Sequence, residues 1–194
     1  MQTGSSFSAE RIADRMEIED VLHRWCRAID RYDLERIPAL FHEDAIDQHG
    51  AFVGGVDGLV DWIRTKHRGI PFSAHMISNL LIEFAGPDVA LCECYVSHVQ
   101  RFSPDAVVYL TAATGGRPMR EGASADLFGV SRYVDRFERR GGGAWRIAHR
   151  TVIAGWRAAH EVPSNPTGAP PNQDVQRRDQ DDYVFHARKA LGLP

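Results

Sequence analysis

One aspartate and two histidines are the side chains of this chain best suited to acid–base chemistry. Asp30 follows directly on the apolar face of a segment with helical periodicity, at its C-terminal end. The helix macrodipole disfavours an anion there by some tenths of a kcal/mol, so the position indicates a partner that offsets this cost. A solvated aspartate in the turn 30–33 is the alternative interpretation of the same residue.

His75 lies at the start of a stretch with strand periodicity, His75–Phe84. Simple alternation places it on one face with Ile77, Asn79 and Leu81, and that mixture of polar and apolar groups is typical of a pocket wall. A single histidine on a strand is also a frequent structural residue, so this pattern alone leaves both interpretations open.

His98 follows three apolar inward positions on the next predicted strand. In alternation its face comprises Cys92, Cys94, Val96 and His98. A buried neutral imidazole needs a hydrogen-bond partner, which would make the residue structural. With an ordinary pKa of about 6.5, the same group is a usable acid or base near neutral pH. The sequence therefore supports a catalytic and a structural interpretation equally.

The nine histidines invite a test for metal binding. The chain has neither a His-Glu-x-x-His motif nor a His-x-His pair. Four side chains are close enough in sequence to hold a cation: His42, Asp44, Asp47 and His49. Surface polar residues also collect between a helix and a strand, so we predict no metal site. The run Gly141–Gly143 lies between two predicted strands and indicates a turn, not a phosphate-binding loop.

Composition and charge are those of a soluble globular protein. The 194 residues are 43% hydrophobic and 25% charged, with a formal net charge of −3. This charge provides no basic field for nucleic acid or an anionic membrane, and no run reaches the roughly 20 apolar residues of a membrane span. The polar N-terminus lacks the apolar core of a secretory signal, and Cys26, Cys92 and Cys94 form no even disulfide framework. We therefore expect a cytoplasmic protein with neither a nucleic-acid nor a membrane partner.

Helical periodicity dominates the first third of the chain. Ser8–Asp30 carries apolar residues spaced three and four apart, with Ser8 as the N-cap. A short helix is predicted over Leu34–Phe41, limited by Pro38, and a third over Asp57–Arg68.

From His75 onward the hydrophobic period changes to two. The predicted strands are Ala45–His49, His75–Phe84, Val89–Phe102, Ala123–Arg139 and Ala144–Trp156. Helices followed by a meander of long strands predict an α+β fold, with a curved sheet wrapped over the helices. We expect this domain to span residues 8–158. Residues 159–194 would then form a proline-rich linker and a helical tail over Asp181–Leu191, a possible pocket lid.

Several local patterns carry a resemblance to a known family. They are Trp25–Asp33, Leu40–Ala45, Ala74–Met76, and Tyr133–Arg139 leading to Trp145–Ile147. Together they resemble the SnoaL-like branch of the NTF2-like superfamily, over about residues 12–156. The resemblance implies an NTF2-like (cystatin-like) cone, in which a bent antiparallel sheet wraps over N-terminal helices and a pocket opens in the cone mouth.

The branch includes scytalone dehydratase, hexachlorocyclohexane dehydrochlorinase and bile-acid dehydratase, and the resemblance implies a catalytic dyad of Asp30 and His75. In the implied mechanism Asp30 orients His75 and raises its basicity, and His75 removes a proton from the substrate. His98, on a strand similar to one that bears a second catalytic histidine, would donate to the leaving oxygen or stabilise an oxyanion. The implied activity is that of a cofactor-independent lyase, of the dehydratase, dehydrohalogenase or deformylating carbon–carbon lyase type, which requires neither a metal nor an organic cofactor.

The sequence also departs from the scytalone enzyme. Ile29 stands where that enzyme has a tyrosine, and Gln48 or His49 falls near its second substrate-binding tyrosine. Scytalone is therefore not the expected substrate, and His49 is expected to take over the polar contact.

Aromatic side chains could line a pocket for a flat aromatic or polycyclic substrate, although core packing is the more common role of such residues. These candidates are Trp25, Phe52, Trp62, Phe72, Tyr95 and Phe128. The expected partner is a small hydrophobic substrate, in a homotrimer or homodimer. An isomerase or polyketide cyclase with the same site is the first alternative function. A non-catalytic ligand-binding protein, or one like the β subunit of a ring-hydroxylating dioxygenase, is the second.

Overall fold

The computed structural model describes residues 7–110, 113–117, 119–162 and 172–193. The helices are α1 (Ala9–Arg31), α2 (Val56–Lys66) and α3 (Tyr183–Ala190). The strands are β1 (Phe41–His49), β2 (Phe52–Gly54), β3 (Phe72–Phe84), β4 (Val89–Phe102), β5 (Ser124–Arg139) and β6 (Trp145–Val162). Among the described helices, none is both long and apolar enough to cross a membrane.

The six strands form one curved sheet in the order β2-β1-β6-β5-β4-β3. Strands β3 to β6 form an antiparallel meander, whereas β1 pairs in parallel with β6. The inward face of the sheet and the apolar sides of α1 and α2 share one large core. This arrangement confirms the predicted α+β fold.

Helix α1 forms where the apolar spacing predicts it. The side chain of Ser8 accepts a hydrogen bond from the backbone N–H of Arg11 at 3.3 Å, as an N-cap does. The helix ends because Tyr32 adopts a left-handed conformation, with φ 56°. The apolar stripe lies against the sheet and is buried: Ile18, Val21, Leu22, Trp25, Cys26 and Ile29. Burial of this stripe fixes the last turn of α1, and with it the position of Asp30.

The helix predicted over Leu34–Phe41 is wrong. The segment forms two single turns of 3-10 helix, Leu34–Arg36 and Pro38–Leu40, and Phe41 already belongs to β1. Pro38 has no N–H to donate to the carbonyl of Leu34, so an α-helical turn cannot form there. That carbonyl instead accepts the N–H of Ile37, at 3.1 Å.

The predicted faces of β3 hold only for the first half of the strand. The β3–β4 register shifts between Ser78 and Leu81, where Asn79 has a φ of 52°. A bulge of this kind adds one residue and reverses the alternation. His75 and Ile77 therefore share the inward face with Ile82 beyond the bulge, whereas Asn79 and Leu81 are exposed. The predicted grouping of His75 with Asn79 and Leu81 is wrong for this reason.

Strand β4 has the predicted bounds, and β6 continues six residues beyond the predicted Trp156. The prolines of the predicted linker, Pro163, Pro166, Pro170 and Pro171, lie outside the described residues. Helix α3 begins at its N-cap Asp182, whose side chain accepts from the N–H of Val184. The segment before α3 returns to the C-terminal end of α1, beside Asp30.

Candidate active site

A cavity of about 450 Å³ lies between the helices and the concave face of the sheet. Apolar walls come from both layers, and they include Trp25, Ile63, Val96 and Leu127. The polar side chains that line it are His49, Lys66, His67, His75, His98, Gln100, Ser131, Tyr133 and Arg157. A volume of this size is typical of a site for a small organic molecule.

Asp30 and His75 meet at one side of this cavity, 45 residues apart in sequence. The Nδ1 atom of His75 lies 2.6 Å from Oδ1 of Asp30, and the backbone N–H of His75 donates to Oδ2 at 2.8 Å. The hydroxyl of Ser73 donates to Oδ1 at 2.9 Å. With Nδ1–H donating to a carboxylate, Nε2 is left as the basic atom of the ring. The pair has the geometry of a general base whose orientation is set by a carboxylate.

A residue of the C-terminal segment, Arg178, forms hydrogen bonds with backbone carbonyls next to this pair. Nη2 of Arg178 donates to the carbonyl of Ile29 at 2.7 Å, and Nε donates to the carbonyl of Asp30 at 3.2 Å. Nη1 donates to the carbonyl of Ile70 at 2.5 Å. A cation at this end of α1 satisfies carbonyls that the helix leaves free and opposes its negative dipole. Burial lowers the pKa of Arg178 to about 10, so the guanidinium is charged at neutral pH.

His98 stands next to His75 across the β3–β4 ladder. The two rings stack with centroids 5.7 Å apart and planes at 26°. Burial, and then the charge of a protonated His75, lower the pKa of His98 to about 4. His98 is therefore a neutral imidazole at neutral pH, suited to a hydrogen bond rather than to full proton release.

Gly129 provides the space for the His98 ring on the neighbouring strand. A Cβ atom at position 129 would lie 2.4 Å from Nε2 of His98. Any larger residue there would have to push the ring aside. Inward alternation on β4 places Gln100 two residues beyond His98, where its Nε2 donates to the hydroxyl of Ser73 at 3.4 Å.

Three of the predicted substrate-binding residues line the cavity. Trp25, His49 and Trp62 are these three residues, and the His49 ring lies near both tryptophan rings, with centroid distances of 6.4 Å to Trp25 and 5.4 Å to Trp62. Phe52 does not line the cavity, and its ring packs against that of Trp62 with the centroids 5.9 Å apart.

Tyr95 and Phe128 do not lie in the cavity, and their predicted placement there is wrong. Both are on the outer face of the sheet, 46% and 40% exposed. Alternation explains this: Tyr95 lies between the inward Cys94 and Val96, and Phe128 precedes the inward Gly129. The same alternation would have predicted that Ser131 and Tyr133 line the cavity, which the sequence interpretation missed.

His67 is a cavity residue without a sequence signal. It follows the end of α2, and its Nδ1 lies 3.4 Å from Nη2 of Arg178. Burial, and then the charge of Arg178, hold the pKa of His67 well below its ordinary value. The distant C-terminal segment contacts its ring, and no local sequence pattern predicts that contact.

Two of the four side chains considered for a metal ion contact partners outside that group. His42 contacts the carbonyl of Glu138 through Nε2 at 3.0 Å, and Asp44 pairs with Arg140 at 2.6 Å. Within the described ranges, no group of three or more His, Cys, Asp or Glu side chains is placed to hold a metal ion. The three cysteines are buried and free, and burial raises the pKa of Cys26 to about 12.

Solved structures with this fold include enzymes and proteins of unknown function. A Novosphingobium aromaticivorans protein, assigned by inference as a scytalone dehydratase, is 18% identical, with a TM-score of 0.61 over 83% of this chain and 97% of that one. Hexachlorocyclohexane dehydrochlorinase LinA-type3 from Novosphingobium barchaimii is 17% identical, with a TM-score of 0.63 over 83% and 98%. A Mycobacterium tuberculosis protein of unknown function is 21% identical, with a TM-score of 0.56 over 94% and 98%. At these identities the likeness establishes the fold.

A sequence relative and a family profile both match this chain. An uncharacterised protein of Mycobacterium tuberculosis is 30% identical over 86 residues, which are 42% of this chain and 58% of the relative. The chain thus spans little more than half the length of that relative. The profile of the SnoaL-like domain matches residues 10–151, almost three quarters of the chain. The chain therefore belongs to the SnoaL-like family, within the NTF2-like superfamily.

Proposed function

We propose that the protein is a cofactor-independent lyase that acts on a small hydrophobic substrate by general acid–base catalysis. The observation that carries the proposal is the 2.6 Å contact between Nδ1 of His75 and Oδ1 of Asp30, beside a cavity of about 450 Å³. A buried carboxylate that fixes the tautomer of a histidine facing a cavity has a clear use in proton transfer. A ligand-binding or structural subunit has no need of it.

The chemistry follows from the two histidines. Nε2 of His75 takes a proton from a carbon made acidic by a neighbouring carbonyl or aromatic group, and the C–H electrons become the new double bond. The leaving group departs with the electrons of its own bond, as halide or as hydroxide. Asp30 stabilises the imidazolium that forms, and His98 donates a hydrogen bond to the oxygen on which negative charge develops.

A hydroxide leaving group needs a proton, and the neutral His98 is a poor source. Its pKa of about 4 means that it holds no second proton at neutral pH. The imidazolium of His75 carries the proton just removed, and it can return that proton to the departing oxygen to release water. A single residue then acts first as base and then as acid, so the leaving group must lie on the same side of the substrate as the proton.

Two structural relatives support an elimination. One is described as a dehydratase and the other is a dehydrochlorinase, so the reactions in their names remove water and hydrogen chloride. The walls of Trp25 and Trp62 favour a flat aromatic or polycyclic substrate.

An isomerase or polyketide cyclase is the second candidate. It is favoured by the same feature of the site, because an imidazolium that returns its proton to a different carbon moves a double bond without loss of a group. Product mass separates the two: a lyase product is lighter by the leaving group, whereas an isomerase product has the mass of its substrate.

The experiment for the proposed function is a substrate screen with the purified protein. Hydroxylated aromatic, steroid and halogenated alicyclic compounds would be incubated with the wild type and with His75→Ala. We expect the wild type to convert at least one of these compound classes to an elimination product, with release of water or halide. We expect His75→Ala to form no such product. Equal product formation in His75→Ala would contradict it.

We also propose a homo-oligomer, supported by the outer face of the sheet. Large apolar side chains are exposed there on neighbouring strands: Met76, Tyr95, Phe128, Ile153 and Trp156. Exposed apolar side chains on one face of a sheet are typical of a protein interface, and a second copy of the chain is the expected partner.

A further inference from the structure

A second cavity, of about 300 Å³, lies along a different side of helix α1 from the candidate active site. None of the described residues lines both cavities. The walls of the second come from α1, the 3-10 turns after it, the start of β6 and helix α3. Five arginines and three acidic side chains line it, so positive charge predominates there.

The three carboxylates of this second cavity already have partners. Asp20 accepts from Nε of Arg24 at 2.5 Å, and Asp33 pairs with Arg36 at 3.8 Å. Oε1 of Glu17 accepts a backbone N–H from the start of β6 at 3.0 Å. The carboxylates therefore neutralise two of the five arginines and leave three without a counterion.

Those three arginines are Arg27, Arg146 and Arg188. Their guanidinium groups form no hydrogen bond or ion pair with any residue that the structure describes. Arginines elsewhere in the chain commonly pair with a carboxylate, as Arg101 does with Asp126 at 2.7 Å. Three unpaired guanidinium groups around one cavity are the pattern expected where a bound anion supplies the missing charge.

The surroundings of Arg27 show that these charges repel one another. Its side chain is half-buried, and burial, followed by the charges of Arg188 and Arg24, lowers its pKa from the ordinary value. Arg24 and Arg27 are three residues apart on α1, a spacing at which like charges destabilise a helix. Arginine keeps its proton in a protein, so the repulsion is relieved by an anion and not by loss of a proton.

The form of the site selects a small anion over a nucleic acid. The guanidinium groups line one cavity instead of a long surface stripe, and the chain as a whole has a net charge of −3. A guanidinium fork binds phosphate oxygens through two parallel hydrogen bonds. A phosphoryl group carries a charge of about −1.5 to −2 near neutral pH, so two adjoining phosphates match three unpaired guanidinium groups.

A ligand in this cavity would also attach α3 to α1. None of the residues of α3 is buried, and its N-cap Asp182 forms an ion pair with Arg31 at 3.3 Å. Arg188 lies in the last turn of α3, whereas Arg27 lies on α1. An anion held by both guanidinium groups therefore adds an attachment at the end of α3 opposite Asp182.

We propose that the second cavity binds a small compound with two adjoining phosphate groups, held by Arg27, Arg146 and Arg188, and that this ligand attaches α3 to α1. The ligand chemistry is that of a diphosphate, which inorganic pyrophosphate and organic diphosphates share. The site is independent of the proposed lyase reaction, because it uses other residues and another cavity.

Binding is tested by calorimetry of the full-length protein with inorganic pyrophosphate, at an ionic strength held constant with sodium chloride. We expect saturable binding of one pyrophosphate per chain. Arg27→Gln and Arg188→Gln should each weaken it by about tenfold or more, the range of a lost charge-assisted hydrogen bond. Lys189→Gln is the matched control, because Lys189 follows Arg188 on α3, is exposed and does not line the cavity. Its affinity should stay near the wild-type value.

ADP, titrated in the same way, distinguishes the two sources of a diphosphate. Tighter binding of ADP than of pyrophosphate would support an organic ligand, and the reverse would support pyrophosphate itself. Either result supports the site, provided that Arg27→Gln weakens the binding. A loss of affinity confined to Arg157→Gln would place the anion in the first cavity and would overturn the proposal.

Hydrogen exchange measures the attachment of α3. Pyrophosphate should slow the exchange of the backbone amides of Tyr183–Ala190 in the wild type, and this protection should be lost in Arg188→Gln. Without ligand, Arg27→Gln and Arg188→Gln should melt at or slightly above the wild-type temperature, because each removes a charge that repels its neighbours.

Three results would overturn the proposal. The first is a wild type that shows no saturable binding of pyrophosphate or ADP. The second is an equal loss of affinity in Arg188→Gln and Lys189→Gln, which would indicate a general effect of charge. The third is unchanged exchange in α3 on binding, which would contradict the attachment of this helix. None of these measurements requires turnover, so they stand or fall separately from the lyase proposal.

Discussion

The guanidinium of Arg178 donates to the backbone carbonyl of Asp30, at 3.2 Å, across 148 residues of sequence. Its other nitrogens hold the carbonyls of Ile29 and Ile70. Gln176, two residues earlier, donates to the carbonyl of Ser73 at 2.5 Å. The segment before α3 therefore contacts both backbone stretches that carry the candidate dyad.

Replacement of Arg178 by Met should destabilise the protein and lower its activity. The carbonyls of Ile29, Asp30, His67 and Ile70 would lose this donor in a half-buried site, which we expect to cost about 2 kcal/mol or more in the free energy of unfolding. Without these hydrogen bonds Asp30 and His75 should be more mobile, and this mobility should lower kcat more than it raises KM. Urea unfolding and steady-state kinetics measure the two effects.

Arg177→Met is the control for that change. The side chain of Arg177 is exposed and pairs with Asp179 and Asp181, away from the dyad, so stability and kcat should stay near the wild-type values. Equal losses in the two variants would contradict a specific role for Arg178.

Replacement of Gly129 by Ala should displace His98. The added Cβ would lie 2.4 Å from the ring, and overpacking of this kind costs about 1–3 kcal/mol. We expect reduced turnover together with a lower melting temperature. Gly86→Ala is the matched control, because a Cβ there meets no atom within 4 Å. Full activity in Gly129→Ala would argue against a role for His98 in the reaction.

Stability should fall as the pH drops from about 6.5 to 4. The pKa of His98 is lowered from 6.5 to about 4 by burial and by His75, so the unfolded chain binds its proton more readily than the folded one. The resulting stabilisation is complete above pH 6.5 and is lost as the pH falls through the folded pKa, and it is on the order of 3 kcal/mol. Melting temperatures measured across this range should decline less steeply in His98→Gln. Parallel curves for the two proteins would contradict the lowered pKa.

Removal of a large apolar side chain from the outer face of the sheet should dissociate the proposed oligomer. Trp156 is 62% exposed, so Trp156→Ser should leave the monomer fold intact while it removes apolar area from the interface. Light scattering coupled to size exclusion would measure the mass. Tyr183→Ser, at a residue 67% exposed on α3, is the control and should keep the wild-type mass. A monomeric wild type would contradict the proposed assembly.

Local patterns predicted much of the fold because the signals they use are local. The i, i+3, i+4 spacing of α1 and the alternation along β4 each depend on residues close in sequence, and both elements form where they were expected. The bulge at Asn79 escaped prediction because one added residue reverses the alternation without any change in composition. Pro38 was recognised as a limit to its helix, but its effect was larger than expected, since it leaves only 3-10 turns.

The site was harder to predict because its contacts are long-range. Resemblance pointed to Asp30 and His75, and no spacing rule would have paired two residues 45 positions apart. Arg178 and His67 are 111 residues apart in sequence and meet only in the folded protein. Tyr95 was assigned to the cavity by its aromatic type, although the alternation of β4 already placed it on the outer face.

The central claim is that His75, oriented by Asp30, is the base of an elimination. The most direct measurement compares turnover of a substrate found in the screen by the wild type, His75→Ala and Asp30→Asn, with melting temperatures recorded alongside. We predict a loss of about 10²–10⁴-fold or more in kcat for both variants, with His75→Ala melting close to the wild type. Turnover by His75→Ala within a few-fold of the wild type, or a loss of activity explained by unfolding alone, would contradict the claim.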